Sequence, residues 1–267
     1  MVENERKPIL QMRDISKRFG AIQALSEVEF EVYPHEVVGL VGDNGAGKST
    51  LVKIISRVYK ADTGQHIFEG NEVVINNPRD AAQLGIETVY QDLALCDNLD
   101  VVANLYLGRE QVQPALAKLV SSIDEVEMEK SAIRLLGDLH VRLPSVRHQI
   151  ATLSGGQRQS VAVSRVVMWN SKVTLMDEPT AALGVEQTHQ VKDLIRRLRE
   201  RGLGIVVISH NLADIFDVSN RIIVLRLGRL GATYETHTTN PERVVAAITG
   251  TVFGPVDNGK DQKGGQP

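Results

Sequence analysis

The chain has 267 residues, 42% of them hydrophobic and 24% charged, with a formal net charge of −3. That length suits one large α/β domain or two small ones, and the slightly acidic balance gives no support for a general nucleic-acid binder. A single cysteine, Cys96, excludes an internal disulfide; it points to a reducing compartment, and its neighbours form no nucleophile pattern.

No stretch offers the roughly 18–20 uninterrupted apolar residues of a membrane helix. The opening "MVENERKPIL" lacks the apolar core of a signal peptide. A cytosolic chain is expected, with a peripheral place on a membrane complex left open. Aromatics are scarce while Val, Ile, Leu and Ala abound, as in the doubly buried strands of a parallel sheet.

In chain order, "VEFEV" (Val28 to Val32) alternates apolar and acidic residues like a half-exposed antiparallel strand. "VVGLV" (Val37 to Val41) is a continuous apolar run ending in "GDNGAGKST". The following "KSTLVKIISRVY" places Leu51, Ile54, Ile55 and Val58 on one helical face. "QHIFEGNEVVI" reads as a hairpin turning near Gly70-Asn71. Pro78 opens a short helix through Leu84, and "IETVYQ" returns as a strand. From Asp92 to about Met168 the pattern is mostly helical. Then come apolar strands at Val173, Gly204 and Arg221, separated by helical runs. One of these runs carries the basic "IRRLRE" (Ile195 to Glu200), read as a solvated helix face. Strands alternating with helices predict a parallel sheet with helical cover, and the Gly- and Lys-rich tail predicts disorder.

Gly42, Asp43, Asn44, Gly45, Ala46, Gly47, Lys48, Ser49 and Thr50 form a phosphate loop in a strand–loop–helix setting. Glycines let successive N–H groups turn toward phosphate oxygens, and the helix adds the positive end of its dipole. Lys48 is expected on the β- and γ-phosphates and Ser49 on Mg²⁺. "VTLMDEPT" delivers Asp177 as a metal carboxylate, with Glu178 projecting from the opposite side of the extended chain to polarise a water. In "TLSGGQRQ", Ser154, Gly155, Gly156 and Gln157 make a second anion-binding helix start.

"LSGGQ" between a phosphate loop and "DEP" resembles the signature of ABC-transporter ATPases, and the likeness runs from about Ile9 to Gly250. The resemblance implies a phosphate-loop parallel-sheet core, an N-terminal antiparallel β subdomain and a helical signature subdomain. One nucleotide-binding domain would cover 7–250, with the helical part at roughly 92–165 and a disordered tail over 251–267. It further implies that Gln91 senses Mg²⁺ and faces a membrane partner, that His210 is the switch histidine on the γ-phosphate, and that Phe19 stacks on adenine. ATP and Mg²⁺ follow as cofactors. A head-to-tail homodimer follows too, in which each signature covers ATP on the other loop, with Asp43 and Asn44 near the junction.

The run Tyr90 to Glu110 and "DEPTAALGVEQT" are similar to bacterial importers of ribose, xylose or fructose, in a single-domain form. Implied partners are an integral-membrane permease and, indirectly, a solute-binding protein, with no nucleic acid. The implied place is the cytoplasmic face of the inner membrane. Gly184 stands where many members carry Asp, which puts that side-chain contact in doubt. Import of another small solute remains an alternative. Non-transport members are disfavoured by the short insertion between loop and signature and by the absence of a tandem domain.

Overall fold

The computed structural model describes residues 7–112 and 122–251. Its first elements are β1 (Leu10–Phe19), β2 (Ile22–Val32), β3 (Val37–Val41) and α1 (Lys48–Ile55). Next come β4 (Thr63–Phe68), β5 (Asn71–Glu72), α2 (Pro78–Leu84) and β6 (Ile86–Val89). The helical stretch holds α3 (Val101–Tyr106), α4 (Glu125–Asp138) and α5 (Gly155–Met168). β7 (Val173–Asp177), α6 (Val185–Glu200), β8 (Gly204–Ile208), α7 (Leu212–Val218), β9 (Arg221–Arg226), β10 (Arg229–Glu235) and α8 (Pro241–Thr249) complete it.

The apolar runs build a six-stranded sheet in the order β10-β9-β3-β8-β7-β6. All of its pairings are parallel except β10 with β9. Side-chain alternation divides it into two faces. Val38 and Leu40 join a core with α1 and a four-stranded antiparallel sheet, β2-β1-β4-β5. Val37 and Val41 turn the other way, onto α5, α6, α7 and α8. A third cluster, built on α3, α4 and the start of α5, makes a separate small core around Leu105, Met128 and Ile150. The parallel core, the antiparallel sheet and the helical part all match the fold class expected from sequence. No helix among the described residues is long and apolar enough to cross a membrane.

Local chemistry explains most boundaries. Asn77 caps α2 by accepting from the Asp80 N–H at 3.1 Å, Pro78 occupies its first turn, and Gly85 closes it at φ 91°. The structure also corrects several expectations. α1 stops at Ile55 and Arg57 takes φ 60°, so Val58 leaves the helical face and is 44% exposed. Phe68 pairs with Asn71, so the hairpin turns at Glu69-Gly70, one residue early. Both turn residues have positive φ, as a two-residue hairpin with native twist requires. Residues 92–100 are turns rather than helix, because Leu93 and Ala94 sit at φ 60° and 46°. β10 and the Asn240-capped α8 were not anticipated. Beyond Thr251 the expected disordered tail lies outside the described residues.

Candidate nucleotide site

The loop between β3 and α1 is held from below. Ala46 N–H donates to the Asp43 carbonyl at 3.1 Å. Gly228 donates to the Ala46 carbonyl at 3.0 Å while its own carbonyl accepts from Ser26 N–H at 2.8 Å. The β9–β10 turn therefore locks the loop to β2. Gly47 caps α1 at φ 106°, and a Cβ there would lie 2.7 Å from Leu25 Cδ2 and 2.8 Å from the Ala24 carbonyl. No side chain caps α1, so its first N–H groups are left for an anion. Lys48 Nζ reaches back to the Gly42 and Asp43 carbonyls at 2.6 and 2.9 Å. Burial pulls its pKa below the usual lysine value, against the opposing charges of Glu178, Asp43 and Asp177.

One strand beyond β8, β7 ends at Asp177. Burial raises the Asp177 pKa, and the adjacent Glu178 charge adds to it, while Lys48 acts the other way. Glu178 itself takes φ 50°. Its direction is set by a left-handed turn rather than by strand alternation, which replaces the sequence-based argument for where it points. Its N–H donates to the Ile208 carbonyl at 2.9 Å. Its carboxylate accepts from the His210 N–H at 3.1 Å and lies 3.0 Å from His210 Nδ1, with Ser209 Oγ at 3.4 Å. The His210 ring is 81% exposed, so one nitrogen is oriented by Glu178 while the other faces solvent.

These groups converge on a cleft of about 590 Å³ at the C-terminal ends of β3, β7 and β8. Gly42, Asn44, Gly45, Ala46, Gly47, Lys48, Ser49, Thr50, Gln91, Asp177, Glu178 and His210 all line it. Asp43 does not; it contributes the carbonyl that holds Lys48. Phe19 also lies off the cleft, with its ring edge-on to Tyr59 at 5.2 Å. Ile22, Gln23 and Ala24, just past the β1–β2 turn, line the cleft instead and were missed in the sequence. No local sequence pattern marks them, and only the fold shows Ile22 as an exposed apolar residue.

Ser154, Gly155, Gly156 and Gln157 are not among the cleft residues. They form a capping box at the start of α5. Ser154 N–H donates to Gln157 Oε1 at 3.0 Å, and Gln157 N–H donates to Ser154 Oγ at 3.3 Å. Gly156 faces α6 so closely that a Cβ would come within 2.8 Å of Gln187 Cβ. The same Gln187 accepts from Gly184 N–H at 3.2 Å, so one side chain backs both the signature and the start of α6.

A phosphate loop on one parallel strand, paired acids on a second and a histidine after the strand between them define a phosphate-loop nucleoside triphosphatase. Residues 25–181 match the family model described as "ABC transporter". The chain belongs to the ABC transporter family, and as a member it is an ATP-binding ATPase. It is 43% identical over 252 residues to the xylose/arabinose import ATP-binding protein XylG of Sulfolobus acidocaldarius, covering 94% of this chain and 98% of that one. It is equally 43% identical over 247 residues to the fructose import ATP-binding protein FrcA of Rhizobium meliloti, covering 92% and 95%. A nucleotide-free ATP-binding cassette from an ABC transporter superposes with a TM-score of 0.76 at 27% identity, over 90% of this chain and 98% of the cassette. A dimeric post-hydrolysis cassette bound to ADP and Pi gives 0.70 at 25% identity, over 85% and 98%.

Proposed function

We propose that this chain is the ATP-hydrolysing subunit of a membrane importer for a monosaccharide. The observation that carries the ATPase half is the convergence of Lys48, Ser49, Gln91, Asp177, Glu178 and His210 on one cleft. The sugar half rests on the two relatives named for xylose/arabinose and fructose import, which match it over nearly their whole lengths.

In this reading the loop N–H groups and Lys48 bind the phosphates. Lys48 is already half-buried, and its two carbonyl partners can be exchanged for phosphate oxygens. Ser49, Gln91 and Asp177 supply hard oxygen donors that suit Mg²⁺. Among the described residues no group of three or more His, Cys, Asp or Glu is placed to hold a metal. The fit is therefore to an ion that completes its shell with phosphate oxygens, as Mg²⁺ does. Bound there, Mg²⁺ would neutralise charge on the transferring phosphoryl group. Glu178, fixed from two sides by His210, accepts a proton from the attacking water, and the exposed His210 nitrogen faces the γ-phosphate. Ile22 offers an apolar contact for the base in the place expected of Phe19.

Residues 7–250 act as one nucleotide-binding domain, with the helical subdomain at roughly 92–165. None of the four signature residues lines the cleft of its own chain, which supports a role away from it. The signature serves the cleft of a second copy, giving a homodimer with two ATPs, which the dimeric cassette bound to ADP and Pi supports by fold. The dimer sits against a permease at the cytoplasmic face of the membrane, and a solute-binding protein selects the sugar.

Glu178→Gln should bind MgATP with near wild-type affinity and hydrolyse it about 10²–10⁴-fold more slowly. Near-normal turnover would refute the base. The transport half is tested by reconstituting the chain with its permease. Sugar-loaded binding protein should then stimulate the ATPase, and stimulation by a non-sugar solute alone would overturn the sugar assignment.

A further inference from the structure

The turns carrying Glu178 and His210 meet again behind the cleft, on a third carboxylate. Asp214, in the first turn of α7, is 8% exposed. Its Oδ2 accepts from Thr180 Oγ1 at 2.9 Å and from Asn211 Nδ2 at 3.0 Å. Thr180 lies two residues past Glu178, and Asn211 directly follows His210. The other oxygen, Oδ1, lies 3.3 Å from Nζ of Lys192, a buried lysine of α6 that also pairs with Asp217 at 2.6 Å. Asp217 is bound in turn by Arg196. Thr180, Asp214 and Lys192 do not line the cleft.

A buried ion pair is a weak source of stability, because desolvation cancels most of its attraction. What it supplies is geometry: Lys192 holds one Asp214 oxygen at 3.3 Å, and the other oxygen ties two loops together. The Glu178–His210 separation of 3.0 Å is the quantity so tied. Reaction rates are steeply sensitive to displacements of catalytic groups, whereas the phosphate-loop backbone is held by its own bonds to Gly228 and Asp43. We propose that Asp214, anchored by Lys192 and bridged by Thr180, is a positioning residue that sets the Glu178–His210 geometry, and with it turnover rather than nucleotide affinity. This rests on the ATPase reading above.

The test uses the full chain, with steady-state ATP hydrolysis, equilibrium ATP binding and thermal unfolding measured on each variant. Thr180→Val keeps the shape and removes only the hydroxyl donor. It should lower kcat by roughly tenfold or more while Kd stays within about twofold. Thr180→Ser, which restores the donor, should recover most of the rate. Adding Thr180→Val to Asp214→Ala should cost little more in kcat than Asp214→Ala alone, because the Thr180 hydroxyl has then already lost its acceptor. Wild-type kcat in Thr180→Val would overturn the proposal. So would a parallel fall of kcat, affinity and thermal midpoint that Thr180→Ser does not repair. A wild-type chain that binds ATP without hydrolysing it would overturn the ATPase reading instead, which separates the two failures.

Discussion

The two ends of the parallel sheet are built from the same strands and treat charge in opposite ways. At the N-terminal ends of β3 and β9, Arg221 grips Glu36 with two bonds, Nε to Oε1 at 2.8 Å and Nη2 to Oε2 at 3.1 Å. Arg221 also donates to the Glu31 carbonyl at 2.9 Å, and Glu36 accepts from Tyr33 N–H at 3.0 Å. That end meets the carbonyl-rich close of α6, where His35 N–H donates to the Gly202 carbonyl at 3.3 Å. At the C-terminal end, Lys48 has only backbone carbonyls, Asp177 and Glu178 crowd together, and α1 begins without a side-chain cap. Parallel strands with helical crossovers place helix N-termini, and so positive potential, at this end. The cavity at the opposite end is larger, about 800 against 590 Å³. Size does not locate the chemistry; unspent polar groups do.

The sharpest way to break this contrast is to remove one partner at each end. Glu36→Ala leaves Arg221 buried without its carboxylate and should cost about 3–5 kcal/mol of unfolding free energy. Nucleotide affinity should stay unchanged, because Glu36 is at the far end of β3. Denaturant titration alongside ATP binding reads both. Lys48→Ala should behave in reverse, losing about 2–4 kcal/mol of ATP binding, roughly thirty- to thousand-fold in Kd. Its unfolding free energy should barely move, since the lysine gives up two carbonyl bonds that water can replace. If Lys48→Ala lowered stability as much as Glu36→Ala does, the two ends would not differ in kind.

Much of the nucleotide end was legible because its information is local. A phosphate loop, "DEPT" and "LSGGQ" are each contiguous, and strand, loop and helix follow each other within about twenty residues. Contacts between distant segments were not legible. Ile22 reaches the cleft on a strand that Gly228 ties to the loop through Ser26 and Ala46, three segments far apart in sequence. Nothing near Phe19 distinguishes an adenine platform from a ring packed on Tyr59. β10 escaped notice because "RLGATYE" alternates weakly and its residues are exposed or half-buried, so the pairing with β9 defines it. Glu178 lines the cleft, but strand alternation does not account for it: a positive φ aims it. The Asp214 bridge joins three segments by single side-chain bonds, which leave no periodic trace.

The signature extends the contrast to a third region and gives it the smallest test. Its polar groups are already paired with each other through the capping box, like those at the Arg221 end. Yet its sequence resembles an anion site, like the phosphate loop. Gly156 decides which description holds within one chain. A helical Gly→Ala change gains up to about 1 kcal/mol from propensity. Against that, the new Cβ would meet Gln187 Cβ at 2.8 Å and Cγ at 2.9 Å, an overpacking penalty of about 1–3 kcal/mol. Gly156→Ala should therefore lower stability by up to about 2 kcal/mol. In a Gln187→Gly background the clash is gone, and the same change should become neutral or stabilising. Chemical denaturation of the four proteins in this cycle measures the coupling. A coupling near zero would mean that close packing on α6 does not require this glycine. Its lack of a side chain would then serve something other than this chain's own packing, and the signature would group with the phosphate loop rather than with the Arg221 end.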